Sequence, residues 1–143
     1  MIKYRKLSPM ASDPTKGTAG SAGYDLSACI TEDIKIPPHA VVKIGTGLSI
    51  EPPKGTFGAV FPRSGLATKE GLRLANSVGV IDEDYRGEIM VAMKNDSAEW
   101  RVITPGERIA QVVFIPYCRD MMSEQDSLSD TNRGEGGFGS TGV

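Results

Sequence analysis

The chain of 143 residues has one histidine, His39, and two cysteines, Cys29 and Cys118. No His/Cys set can therefore form a zinc site, and no Cys-x-x-Cys pair exists for redox chemistry. A Ser-His-Asp site could use only His39, so a hydrolase built on this sequence turns to a carboxylate as its base. Positive charge is not in excess: 16 Lys+Arg stand against 18 Asp+Glu, a formal net charge of −2. That balance argues against a nucleic acid polymer as the main partner, because polyanion binding draws on clustered Lys and Arg. Long apolar runs are missing too. Val112-Val113-Phe114-Ile115 is typical of the longest, far short of the roughly 20 residues that span a bilayer, so no membrane contact is expected. Met1 to Leu7 has no signal-peptide core. Two cysteines without an export signal suit a reducing compartment, and a cytoplasmic, intracellular location is the expectation.

Glycine and proline are abundant. The 17 glycines and 9 prolines make about 18% of the chain, against a usual level near 12%. They punctuate short apolar or alternating stretches at 40–44, 48–50, 56–61, 88–93, 100–103 and 108–115. Such stretches, several rich in Val and Ile, read as strands bounded by turns. Glu51-Pro52-Pro53-Lys54-Gly55 and Thr104-Pro105-Gly106-Glu107 read as hairpin connections. The length suits one domain, and the pattern points to an all-β barrel or sandwich. One short helix is expected over 64–71, with Ser64 as its cap and Gly71 as its stop. Beside Arg63 that helix start could hold an anion, or be an ordinary turn.

Two further segments stand out. Gly79-Val80-Ile81-Asp82-Glu83-Asp84-Tyr85-Arg86-Gly87 reads as a hairpin with an acidic tip. Three adjacent carboxylates suit a solvated turn. Asp82, directly after Val80-Ile81, could instead sit at a strand end and hold a water as general base, with Tyr85 facing a ligand. After Cys118 apolar side chains become scarce, and the end is glycine-rich. A flexible tail is the simple reading, although Arg133 and Phe138 could offer a charge and a flat ring to a ligand. Cys29 and Cys118 read as buried small apolar groups, and His39 as a turn residue.

Taken together, five segments in order resemble the trimeric dUTP pyrophosphatase (dUTPase) family across essentially the whole chain. They are Ala22-Gly23-Tyr24-Asp25-Leu26, Pro62-Arg63-Ser64-Gly65-Leu66, the Gly79 to Gly87 run, Gly106-Glu107-Arg108-Ile109-Ala110-Gln111, and Arg133 to Gly142. The resemblance implies a jelly-roll-like β-barrel with one short helix and a flexible glycine-rich C-terminal tail. Residues 1–118 would form the barrel core, and residues 119–143 an arm closing over a neighbouring subunit's site in a homotrimer. It implies hydrolysis of dUTP to dUMP and pyrophosphate with Mg²⁺, limiting uracil incorporation into DNA and supplying dUMP for thymidylate synthesis.

By the same resemblance, Asp82 would be the base activating water, Asp25 would act near the sugar and the hydrated Mg²⁺, and Arg133 would clamp the γ-phosphate. Arg63, Ser64, Gly65 and Gln111 would hold phosphates. The metal would be held mainly by substrate phosphates, with water-mediated help from Asp25 and Gln111. Gly79, Val80, Ile81 and Met90 would form the uracil pocket, with Asn76 on the approach. Tyr85 would lie against the deoxyribose, Phe138 would stack on uracil, and Gly139, Ser140 and Thr141 would complete the tail contacts. The related dCTP deaminase group shares the barrel, but the Asp82–Tyr85 run and the Phe-Gly-Ser-Thr tail match the hydrolase pattern. An added regulatory role for the same surface stays open.

Overall fold

In the computed structural model, which describes residues 1–139, eleven strands and one helical turn account for the regular structure. The strands are β1 (Lys3–Lys6), β2 (Tyr24–Ser27), β3 (Ile34–Ile36), β4 (Val41–Gly45), β5 (Leu48–Glu51), β6 (Thr56–Pro62), β7 (Leu72–Leu74), β8 (Gly79–Ile81), β9 (Met90–Asn95), β10 (Arg101–Ile103) and β11 (Arg108–Pro116). Every pairing is antiparallel. The largest sheet has the order β2-β11-β6-β8, a second runs β4-β9-β7, and two-stranded ribbons β1-β5 and β10-β3 complete a jelly-roll-like all-β fold. Alternation of side chains sorts inside from outside. On β9, Val91, Met93 and Asn95 point inward while Met90 faces out. One core results, with Leu26, Ile36, Ile44, Leu48, Leu72, Met93, Ile103 and Val112 drawn from all the sheets.

The strand readings at 40–44, 48–50, 56–61, 88–93, 100–103 and 108–115 each meet an observed strand. The connections differ from expectation. β5 pairs with β1 and β6 pairs with β11 and β8, so the Glu51 to Gly55 segment carries the chain from one sheet to another. The Thr104 to Glu107 turn does the same between β10 and β11, and the acidic segment joins β8 to β9 across sheets. A turn sequence specifies reversal of direction, but not which strand will supply the next hydrogen-bond ladder.

The short helix is a π-helical turn, Leu66–Glu70. Ser64 makes no capping hydrogen bond; its carbonyl accepts the Thr68 hydroxyl at 2.7 Å. Gly71 ends the turn with φ +69, as expected for a C-terminal glycine. His39 occupies a turn at φ +60. The cysteines depart from expectation: Cys118 is exposed just beyond β11, and Cys29 is half-buried. Among the described residues, no helix is long and apolar enough to cross a membrane. The described chain after β11 forms no strand or helix, and its side chains are exposed almost throughout.

Candidate active site

Two separate cavities gather most of the expected residues. The first, about 440 Å³, is lined by Asp25, Arg63, Ser64, Gly65, Arg108 and Gln111, with Gly17, Ser21 and Gly23 at its edge. Its geometry comes from the large sheet. Asp25 on β2 lies directly opposite Gln111 on β11, and Gln111 lies opposite Phe61 on β6, two residues before Arg63. A bulge on β11 between Arg108 and Ala110 inserts one extra residue, Ile109, which is fully buried. Regular alternation would send Arg108 and Gln111 to opposite faces; the bulge brings both to this cavity.

Asp25 is the hub. One of its oxygens accepts from Arg63 Nε at 3.1 Å and the other from Arg108 Nη1 at 3.1 Å. The carboxylate is only 16% exposed, and this pairing offsets its burial. Gln111 donates Nε2–H to the Pro62 carbonyl at 3.1 Å. That leaves the amide oxygen of Gln111 beside Gly23, where a Cβ would lie 2.7 Å from it. Gly23 is thus the residue that gives Gln111 room. Exposed backbone at Ser64 and Gly65 and two guanidinium groups make the cavity suited to an anion.

The second cavity, about 200 Å³, is lined by Val80, Ile81, Asp82, Tyr85, Glu88 and Met90. β8 delivers Val80 and Ile81 to one side, and the outward face of β9 delivers Met90 to the other. Val80 is 62% exposed despite being apolar, and Met90 is also exposed; both would be covered by a flat apolar ligand. Asp82 is exposed at the end of β8 and its carbonyl accepts the Tyr85 N–H at 3.1 Å. The Tyr85 hydroxyl donates to the Glu88 carbonyl at 2.9 Å, which fixes the ring over Gly87. A Cβ on Gly87 would come within 2.6–3.0 Å of ring carbons of Tyr85, and closer still to its hydroxyl. Asn76 is exposed on the approach to Gly79, where a Cβ on the glycine would stand 3.6 Å from its amide nitrogen.

The cavities do not merge. Gln111 is opposite Phe61 and Ile81 is opposite Gly58, so the two registers are about 10 Å apart along β6. Arg133 and Phe138 line neither cavity. Arg133 donates to the Gly136 carbonyl at 2.8 Å within a local turn, and the Phe138 ring is fully exposed. Gly139, at φ +78, is the last described residue; Ser140 and Thr141 lie outside the described residues. Two residues were missed on sequence. Arg108 was hidden because a strand reading puts it on the wrong face. Glu88, whose carboxylate accepts the Gly47 N–H at 2.8 Å, carried no signal beyond its place after Gly87.

For Mg²⁺, the test is the donor set. Among the described residues no group of three or more His, Cys, Asp or Glu gathers as a cage. Asp25 and the Gln111 amide offer oxygen ligands beside the anion-suited cavity. That fits Mg²⁺, which keeps several waters and binds through one or two protein oxygens plus substrate phosphates.

A β-fold with a polar anion cavity and a carboxylate-edged apolar one suits a nucleotide-handling enzyme. The dUTPase family model matches residues 10–142. The chain is 54% identical to the deoxyuridine 5'-triphosphate nucleotidohydrolase of Desulfitobacterium hafniense over 99% of its length and 95% of that protein. It is 47% identical to the enzyme of the same name from Enterobacter sp., over 90% and 86%. The solved dUTPase of Staphylococcus bacteriophage 80alpha with dUPNHPP superimposes with a TM-score of 0.86 at 27% identity, covering 100% of this chain and 99% of that one. The chain belongs to the dUTPase family and is an enzyme of that family.

Proposed function

We propose that the chain hydrolyses dUTP to dUMP and pyrophosphate in a homotrimer whose active sites are shared between subunits. The observation that carries this reading is the division of the site. One chain presents an anion-suited cavity around Asp25, Arg63 and Gln111 and, on another part of the barrel, a nucleoside-suited cavity around Val80, Asp82, Tyr85 and Met90. A triphosphate held in the first and its base held in the second come together when two copies meet. The exposed segment with Arg133 and Phe138, which lines neither cavity of its own chain, is then free to complete a site on a further copy. On this reading residues 1–118 are the core and 119–143 the arm.

The chemistry follows from the side chains. Asp82 accepts a proton from a water, which attacks the α-phosphorus. A new phosphorus–oxygen bond forms, the bond to the oxygen bridging the α- and β-phosphorus breaks, and pyrophosphate leaves with that oxygen. Arg63, Ser64 and Gly65 hold the phosphates in line, and Arg133 adds charge to the γ-phosphate from the arm. Asp25 and Gln111 would hold Mg²⁺ through its waters, and the ion, when bound, supplies neutralising charge to the phosphates. Main-chain groups of β8 read the uracil edge between Gly79, Val80, Ile81 and Met90, with Asn76 at the entrance and Phe138 above. Gly139, Ser140 and Thr141 follow Phe138 onto the phosphates. Tyr85 excludes a 2′-hydroxyl by occupying its place, which discriminates better than a merely apolar pocket.

Pyrophosphate release from dUTP, measured with and without Mg²⁺ and with dTTP, dCTP and UTP as controls, tests this. Release from dUTP alone among the four is expected. Ammonia from dCTP, with no pyrophosphate from dUTP, would overturn it.

A further inference from the structure

Beside the second cavity lies a larger cleft of about 570 Å³, lined by residues that include Phe57, Asp82, Glu83, Tyr117 and Arg119. Its organising group is Glu83, the residue after Asp82. Unlike its exposed acidic neighbours, Glu83 is half-buried, with 23% of its side chain exposed. One carboxylate oxygen accepts the Gly55 N–H at 2.8 Å and the Tyr117 hydroxyl at 3.3 Å, and pairs with the Arg119 guanidinium. The three donors come from two other segments of the chain. Gly55, at φ +80, is doubly committed, because its carbonyl also accepts the Tyr117 N–H at 3.3 Å. Tyr117 meets Phe57 edge-on, with ring centroids 6.4 Å apart, and the Arg119 guanidinium lies 5.8 Å over the Tyr117 ring. The Arg119 guanidinium, then the Gly55 N–H, hold the Glu83 carboxyl below its ordinary value of 4.5.

A solvated acidic tip needs none of this. From these contacts we infer that Glu83 is a positioning residue for Asp82, clamping the turn after β8 to the end of β11 and the β5–β6 connection through Gly55, Tyr117 and Arg119. The inference rests on Asp82 being the base. A neighbouring carboxylate with no clamp would let the turn drift, and a displacement of about 1 Å at a reacting group can cost around 10²-fold in rate.

The test is steady-state kinetics on dUTP for Glu83→Ala, Glu83→Gln, Arg119→Ala and the double variant Glu83→Ala/Arg119→Ala, with Asp82→Asn alongside. Glu83→Ala should lower kcat by at least about 10-fold while KM stays within about threefold. The double variant should be no slower than the slower single one, because both remove the same clamp. Glu83→Gln, which keeps an acceptor for Gly55 and Tyr117, should fall between wild type and Glu83→Ala. If Glu83→Ala does not fold, the Glu83→Gln and Arg119→Ala rates decide. Unchanged kcat in the folded variants beside an inactive Asp82→Asn would overturn the inference alone, as would a change confined to KM or fully additive losses. Turnover near the wild-type rate in Asp82→Asn would overturn the proposed base itself.

Discussion

Asp25 lies on β2 and Asp82 directly after β8, and the two aspartates have different surroundings. Each Asp25 oxygen accepts from one guanidinium group, which orders charge and geometry in the anion cavity. Asp82 lies open at the edge of the second cavity, where a water can reach it. Asp82→Asn should therefore reduce kcat by about 10²–10⁴-fold while a non-hydrolysable dUTP analogue binds within a few-fold of wild type by calorimetry. Retained turnover would move the base elsewhere. Tyr85 supplies a second residue-level prediction. Its ring rests on Gly87, where a Cβ would meet its carbons at 2.6–3.0 Å. Gly87→Ala should displace the ring and raise UTP turnover relative to dUTP, measured as the ratio of kcat/KM values. An unchanged ratio would separate Tyr85 from sugar discrimination.

At the scale of elements, irregularities matter as much as strands. The β11 bulge turns Arg108 toward the cavity that holds Gln111. The β4–β5 connection depends on Gly47 at φ +66, whose missing Cβ would stand 2.7 Å from Cys29 Sγ and 2.8 Å from Ala11 Cβ. Gly47→Ala should cost about 1–3 kcal/mol from overpacking, with backbone strain added, and lower Tm by several degrees in a thermal scan. Wild-type stability in that variant would mean the loop relaxes freely.

The Glu83 clamp has a pH signature of its own. Its folded-state pKa lies below the unfolded one, with the Arg119 hydrogen bond the largest cause. Folding thus favours the ionised form, and the stabilisation is present above pH 4.5 and lost as pH falls through the lowered value. The Tm gap between wild type and Glu83→Gln should stay constant from about pH 6 to pH 8 and close in acid. A gap that closed near neutrality would contradict the assignment.

For the whole molecule, the decisive fact is that one chain carries two separate cavities. The described part of 131–143 packs little apolar surface and forms no strand or helix, so its removal should spare the core. Deleting residues 131–143 should leave a folded protein of unchanged oligomeric state by sedimentation, with dUTP turnover lowered by about 10³-fold or more if Arg133 acts as arginines on transferring phosphoryl groups do. Dissociation of the oligomer would place the arm in assembly, and full activity would remove it from the site.

Much of this was legible in the residues. Alternation and Gly/Pro punctuation give the β class, and side chains close in sequence, such as Val80, Ile81, Asp82 and Tyr85, arrive at one cavity because a single strand end delivers them. Other relations were not legible. Which strands pair across each turn, the bulge that rescues Arg108, the Asp25–Arg63–Arg108 cluster and the Glu83 clamp all join residues distant in the chain. Periodicity reports which way a side chain faces along its own strand; it carries no information about which strand lies alongside. Scarce histidine and cysteine, set by sequence alone, left carboxylates as the available base. Only the tertiary structure separated one such carboxylate, paired with two arginines, from another open to solvent, because charge and exposure depend on neighbours that the fold brings in.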